Sequence, residues 1–134
     1  IDNEIIVKPH PTEFKCLDYL KNNYKNLKFS TKKINQLLCG SFVSVSFSST
    51  VIEDSLHAKV PVILFDKWRR YKHCSASTDP KKENCAIYYI NNEQDFKSCL
   101  QTVKNSSNPD FNNYIFNTKT DIKKNLNYLI EKVL

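Results

Sequence analysis

Short apolar runs alternate along the chain with longer stretches in which apolar residues recur every three or four positions. The first run, residues 5–7, predicts a strand, and Lys8, Pro9, His10 and Pro11 give it a stiff, extended exit. Phe14, Leu17, Leu20 and Tyr24 then share one helical face, which predicts a helix capped by Thr12. Ile34, Leu37 and Leu38 predict a second helix over residues 31–39, stopped by Gly40, the chain's single glycine. Residues 42–47 alternate and carry aromatic and β-branched side chains, so they predict a buried strand. Val51, Ile52, Leu56 and Ala58 return to helical spacing and predict a helix over residues 50–59.

Beyond Pro61, residues 62–65 are wholly apolar and predict an interior parallel strand. Residues 66–85 show little periodicity; an irregular stretch of that length in a small domain is usually functional or mobile. Residues 86–90 predict another strand, and Asn92 caps a helix with Phe96, Leu100 and Val103 inward. Asn108, Pro109 and Asp110 open a short helix carrying Phe111 and Tyr114, with the proline at its first position. A last helix from about residue 120 sets Ile122, Leu126, Leu129, Ile130 and Val133 on one stripe.

Strands alternating with helices define an α/β fold: a Rossmann-like parallel sheet flanked by helices and joined by right-handed crossovers. Ligands of such sheets bind outside the carboxyl ends of the strands. Four segments leave strands there: residues 8–11, 48–50, 66–72 and 91–92.

A length of 134 residues fits one domain, residues 1–134. The chain opens on Ile1 and contains no methionine, which is expected of a segment from a longer, two-domain protein. No apolar run approaches a membrane span. The formal net charge of +6 comes from scattered lysines without the dense basic and aromatic stripe of a nucleic-acid binder, so no nucleic-acid partner is expected. Anionic ligands, or peripheral contact with a membrane, suit that charge. The five cysteines are odd in number and include no Cys-x-x-Cys, so no metal site is expected. Cys16, Cys39 and Cys99 fall among apolar helix positions and read as small core residues. Cys74 and Cys85 bracket a loop and would pair only in an oxidising compartment; the chain reads as reduced and cytoplasmic.

Candidate chemistry gathers at the strand exits. Ser48, Ser49 and Thr50 stand between a strand and a helix, where free backbone N–H groups and the helix dipole favour an anion such as phosphate. Thr50 and Glu53 equally form a Thr-x-x-Glu capping box, which satisfies those groups internally. His10, held between prolines, can donate to a phosphate oxygen or bond local backbone. The cluster of Lys67, Trp68, Arg69, Arg70, Tyr71, Lys72 and His73 can neutralise a diphosphate or an acidic glycan, or form a solvated loop. Trp68 and Tyr71 can stack on a sugar or base or pin the loop to the core, and core packing is the expected role of Trp68.

Lys8 to Pro11, together with Ser48, Ser49, Thr50, Val51, Ile52, Glu53 and Asp54 and with residues 59–63 further on, resembles the C-terminal half of GT-B glycosyltransferases. The likeness spans residues 4–104 and is greatest to bacterial sialyltransferases, polysialyltransferases and related capsule or lipooligosaccharide enzymes, which carry an HP motif and a Ser-Ser/Thr motif. It implies an inverting glycosyltransferase with a CMP-sugar donor, a glycan acceptor and no cofactor, working in the cytoplasm or at the inner membrane face. His10 would be the catalytic residue, and Lys8, His10, Ser48, Ser49 and Thr50 would bind the donor phosphate. The family's general base lies in an N-terminal domain, so this segment would bind donor without turning over alone. Residues 29–37 lack the carboxylate that the family usually carries between the two motifs. The same stretch is similar to nucleotide-sugar 2-epimerases, which places ribose on Glu53 or Asp54; Arg69, Arg70 and Tyr71 would form the acceptor or diphosphate loop. A half-domain of that epimerase kind and a non-catalytic doubly wound binding module are the alternatives.

Overall fold

The computed structural model describes residues 4–47, 50–70, 72, 74–114, 130 and 131. The chain forms two compact units, within residues 1–41 and 42–134.

In the first unit, β1 (Ile6–Val7) pairs in parallel with β2 (Lys28–Phe29), Ile6 opposite Lys28. Parallel neighbours need a crossover, supplied here by a 3-10 turn over Pro11–Cys16 that runs on into α1 (Leu17–Asn23). The cap is His10, not Thr12: its Nδ1 accepts from the Thr12 N–H, and its own N–H donates to the Glu13 carboxylate. Pro11 takes the first helical position, where a missing N–H costs nothing, and so starts the turn before Thr12. The expected apolar face is only partly used. Leu17 and Leu20 are half-buried, whereas Tyr24 lies past the helix end and is exposed. α2 (Ile34–Leu38) is shorter than expected and buries only Leu38; Gly40, at φ +86°, ends it as its backbone freedom allows.

The second unit is a three-stranded parallel sheet in the order β3 (Ser44–Ser46), β4 (Val62–Phe65), β5 (Ile87–Ile90). α3 (Val51–His57) joins β3 to β4, and α4 (Glu93–Asn105) follows β5. The pleat of β4 sends side chains to both faces. Val62 and Leu64 pack with Ile52 and Leu56 of α3, while Ile63 packs with Tyr88, Ile90, Cys99 and Val103 on the α4 side. The sheet is thus flanked by helices on opposite faces, an α/β arrangement of Rossmann-like kind. Each fully buried aliphatic side chain contributes about 1.5–3 kcal/mol, which makes β4 the structural centre of this unit.

Several expectations need correction. β3 is not buried: it ends the three-strand order, covers three residues and leaves Val45 50% exposed. Residues 108–114 form no helix, because Asp110 bridges Cys85 and its N–H donates to the Asn84 carbonyl, leaving residues 112–114 as a turn. Cys99 is a core residue, but Cys16 and Cys39 are exposed; all five thiols are free. The long loop has a foothold at Ser77, which bridges Tyr88 along the edge of β5. The expected last helix lies outside the described residues, except for Ile130 and Glu131, which are helical.

Candidate functional site

Because β3, β4 and β5 are parallel, their carboxyl ends share one edge. The chain leaves that edge at Phe47, at Asp66 and at Asn91. Asp66 is the first residue past β4 and is fully buried. Its N–H donates to the Ile90 carbonyl at 2.8 Å, and its carboxylate accepts from the Tyr89 hydroxyl at 2.9 Å. A buried carboxylate is tolerated only with donors or cations around it. Arg70 supplies a cation, its Nε 3.5 Å from Asp66 Oδ1, which is ion-pair distance rather than a hydrogen bond. Burial, then the bond to Asp66, pushes the Tyr89 phenol above its ordinary pKa.

Lys67 and Trp68 form a tight turn closed by the Arg69 N–H donating to the Asp66 carbonyl at 3.1 Å. Arg69 follows in the left-handed region, at φ 51°, where a side chain is strained. Its Nη2 lies 3.5 Å from Asn91 Oδ1. Arg70 lays its guanidinium over the Phe47 ring, 3.7 Å from the centroid, with the Trp68 ring centroid 5.2 Å away. Trp68 is 72% exposed, contrary to the core position expected of it: an aromatic in an aperiodic cationic turn has no helix or strand face to carry it inward. Tyr71 and His73 lie outside the described residues.

At the start of α3 the expected capping box is absent. Thr50 has helical dihedrals, φ −58° and ψ −17°, and its side chain caps nothing. A capping hydroxyl needs an extended backbone to reach the N2 or N3 amide, and Thr50 has already entered the helix. Glu53 and Asp54 are exposed. Thr50 and Glu53 border a pocket of about 320 Å³ whose walls are Ile52, Leu56, Cys74, Ile87 and Tyr114. Burial raises the pKa of both Cys74 and Tyr114. Ser48 and Ser49 lie outside the described residues. A second cleft, about 430 Å³, runs between the polar side of α4 and Lys81 and Glu83. It contains none of the strand-exit residues.

In the first unit, His10 Nδ1 lies 2.8 Å from Thr12 Oγ1 and also accepts from the Thr12 N–H at 3.4 Å. Both contacts suit an unprotonated Nδ1, which puts the proton of a neutral ring on Nε2. The ring is exposed, so Nε2–H is left as an outward donor. Lys8 is half-buried, its Nζ 5.9 Å from the Phe14 ring centroid.

The second unit therefore brings Arg69 and Arg70 to one strand edge, and Thr50 and Glu53 to one pocket. Sequence reasoning missed Asp66, Tyr89 and Phe47. The position of Asp66, an acid directly after a wholly apolar strand, was the available signal. Among the described residues no group of three or more His, Cys, Asp or Glu is placed to hold a metal ion. Nor is any described helix long and apolar enough to cross a membrane. Comparison with protein-family models, with curated proteins and with solved structures finds no match to this chain.

Proposed function

We propose that this chain is the donor-binding part of an inverting glycosyltransferase of surface-polysaccharide synthesis, with a CMP-sugar as donor and a glycan as acceptor. The observation that carries this is the pair of arginines at the carboxyl edge of a parallel sheet, where nucleotide ligands of such sheets bind, Arg70 set beside the buried Asp66 and Arg69 beside Asn91. The exposed ring of His10 supports it, since the local cap engages only Nδ1. His10 would donate to the departing phosphate as negative charge develops, and Ser48, Ser49 and Thr50 remain the second unit's candidates for phosphate binding. Charge-assisted bonds of this kind are worth about 1.5–3 kcal/mol each, so two or three make up much of a micromolar affinity near −8 kcal/mol. The acceptor hydroxyl would be deprotonated by a residue of a further domain, on the cytoplasmic side of the membrane.

Calorimetric titration with CMP, UDP and CDP tests this on the wild type and on His10→Ala. CMP binding that weakens at least tenfold in the variant is the expected result. Equal binding by both proteins removes His10 from the phosphate site. The pocket beside Thr50 and Glu53 favours one second reading, a nucleotide-sugar 2-epimerase half-domain with ribose on Glu53. That reading requires UDP to bind more tightly than CMP, and Glu53→Gln to weaken it. Absence of any nucleotide binding leaves the non-catalytic doubly wound module.

A further inference from the structure

The turn after β4 contains more than a pair of cations. Residues 66–72 hold Lys67, Arg69, Arg70 and Lys72 against the single carboxylate of Asp66, a net +3 out of the chain's formal +6. That carboxylate is buried and engaged with Tyr89, so its charge is turned inward while the cations face water. Arg70 is half-exposed and held on two sides, by Phe47 beneath its face and by Asp66 at Nε. The Nε contact leaves the two Nη groups, the pair of donors that matches two oxygens of one oxyanion. Trp68 stands in the same turn with most of its surface in water, although burying an indole is strongly favourable. The strained backbone of Arg69 is the fourth feature: a left-handed turn residue favours glycine or asparagine, and here it is a long cation.

We propose that the turn from Asp66 to Arg70 is a subsite for an oxyanion borne on a sugar ring, Arg70 taking the anion through its Nη groups and Trp68 stacking on the ring. Asp66 is its positioning residue, acting through Arg70. Two sources share this chemistry, the ribose phosphate of a nucleotide and a carboxylated sugar. Which of them arrives rests on the glycosyltransferase reading above; the subsite itself does not.

Trp68 is the only tryptophan in the chain, so its emission reports this turn alone. The experiment titrates the whole chain with CMP, ribose 5-phosphate, glucuronic acid and neutral glucose, following Trp68 fluorescence and, in parallel, heat. A saturable emission change with at least one acidic ligand, none with glucose, and weakening as salt rises are expected. Arg70→Gln should reduce that affinity at least tenfold, and Arg70→Lys, which keeps the charge but not the planar fork, should restore only part of it. Asp66→Asn should weaken it too. Because Asp66 is buried and its variant can misfold, the exposed Arg70 variants, with circular dichroism unchanged, decide the matter. Heat of CMP binding with Trp68 silent and Arg70→Gln unaffected overturns the subsite and takes Arg70 out of the donor site, leaving the donor reading to rest on His10 and its own His10→Ala titration. A Trp68 response to ribose 5-phosphate or glucuronic acid without any nucleotide binding does the reverse. No saturable response to any acidic ligand overturns the subsite outright.

Discussion

Tyr89 lies on β5 and Asp66 is the first residue past β4, and the hydroxyl of one donates to the carboxylate of the other over 2.9 Å. The Asp66 N–H meanwhile donates to Ile90, the residue opposite Phe65 in the strand register. Main chain and side chain thus tie the exit of β4 to its neighbour, and the cationic turn starts from a fixed point. Asp66→Ala removes the acceptor of Tyr89, the counter-charge of Arg70 and a buried volume. We expect a loss of about 1–3 kcal/mol, read as a lower urea midpoint at unchanged slope. Tyr89→Phe should lower the midpoint less, because the carboxylate keeps Arg70.

Two helix starts look alike on paper and differ in space. Asn92 is extended, φ −140° and ψ 160°, and its Oδ1 accepts from the Asp95 N–H at 2.8 Å. Thr50 is helical and its hydroxyl caps nothing. Asn92→Ala should therefore cost roughly 1 kcal/mol, while Thr50→Ala should stay within about 0.5 kcal/mol of the wild type. Thermal unfolding of the two variants side by side checks the contrast. A large loss at Thr50 would mean that its hydroxyl is engaged after all.

That contrast shows what could be read from the chain. β4, β5 and α4 were legible because their signals are local: an unbroken apolar run, a β-rich pentapeptide, and an asparagine ahead of a periodic stripe. β2 was not, since Lys28 and Phe29 are too few to show a period, and their pairing with Ile6 and Val7 is set by the crossover between them. The Thr-x-x-Glu pattern failed because a capping box needs a backbone conformation as well as two side chains. Of the candidate site, the charges of Arg69 and Arg70 were visible. Their support was not: the Asp66 carboxylate accepts from a tyrosine 23 residues later. Trp68 was misplaced for the converse reason, that hydrophobicity alone says nothing about whether a turn has a core to lean on.

The five thiols should separate by exposure under a maleimide reagent. Cys16 and Cys39 are exposed and should react first. Cys74 and Cys85 are half-buried and should follow, Cys74 further slowed because burial raises its pKa and so lowers its thiolate fraction. Cys99 is fully buried, its pKa pushed up to about 12 by burial, and should label only at the rate of unfolding. Mass spectrometry of timed quenches gives the order. Early modification of Cys99 would contradict the packing of α4 on the sheet.

Alkali should unfold the second unit before it would disturb an ordinary surface. Tyr88 is fully buried, its hydroxyl donating to the Lys82 carbonyl at 2.7 Å, and burial raises its pKa from 10.0 to about 12. Cys99 is raised from 9.0 to about 12 for the same reason. The unfolded chain releases both protons first, so above pH 9 it binds fewer protons than the folded chain. Stability therefore falls with rising pH. The contribution of these two groups is intact below pH 9 and drains away between about 9 and 12. Urea midpoints taken across that window should decline steadily. Tyr88→Phe and Cys99→Ala should each flatten the decline, even though each lowers stability at neutral pH through the lost hydrogen bond or the cavity it leaves. A wild-type midpoint that holds level to pH 12 would show that neither group is shielded from water in the folded protein.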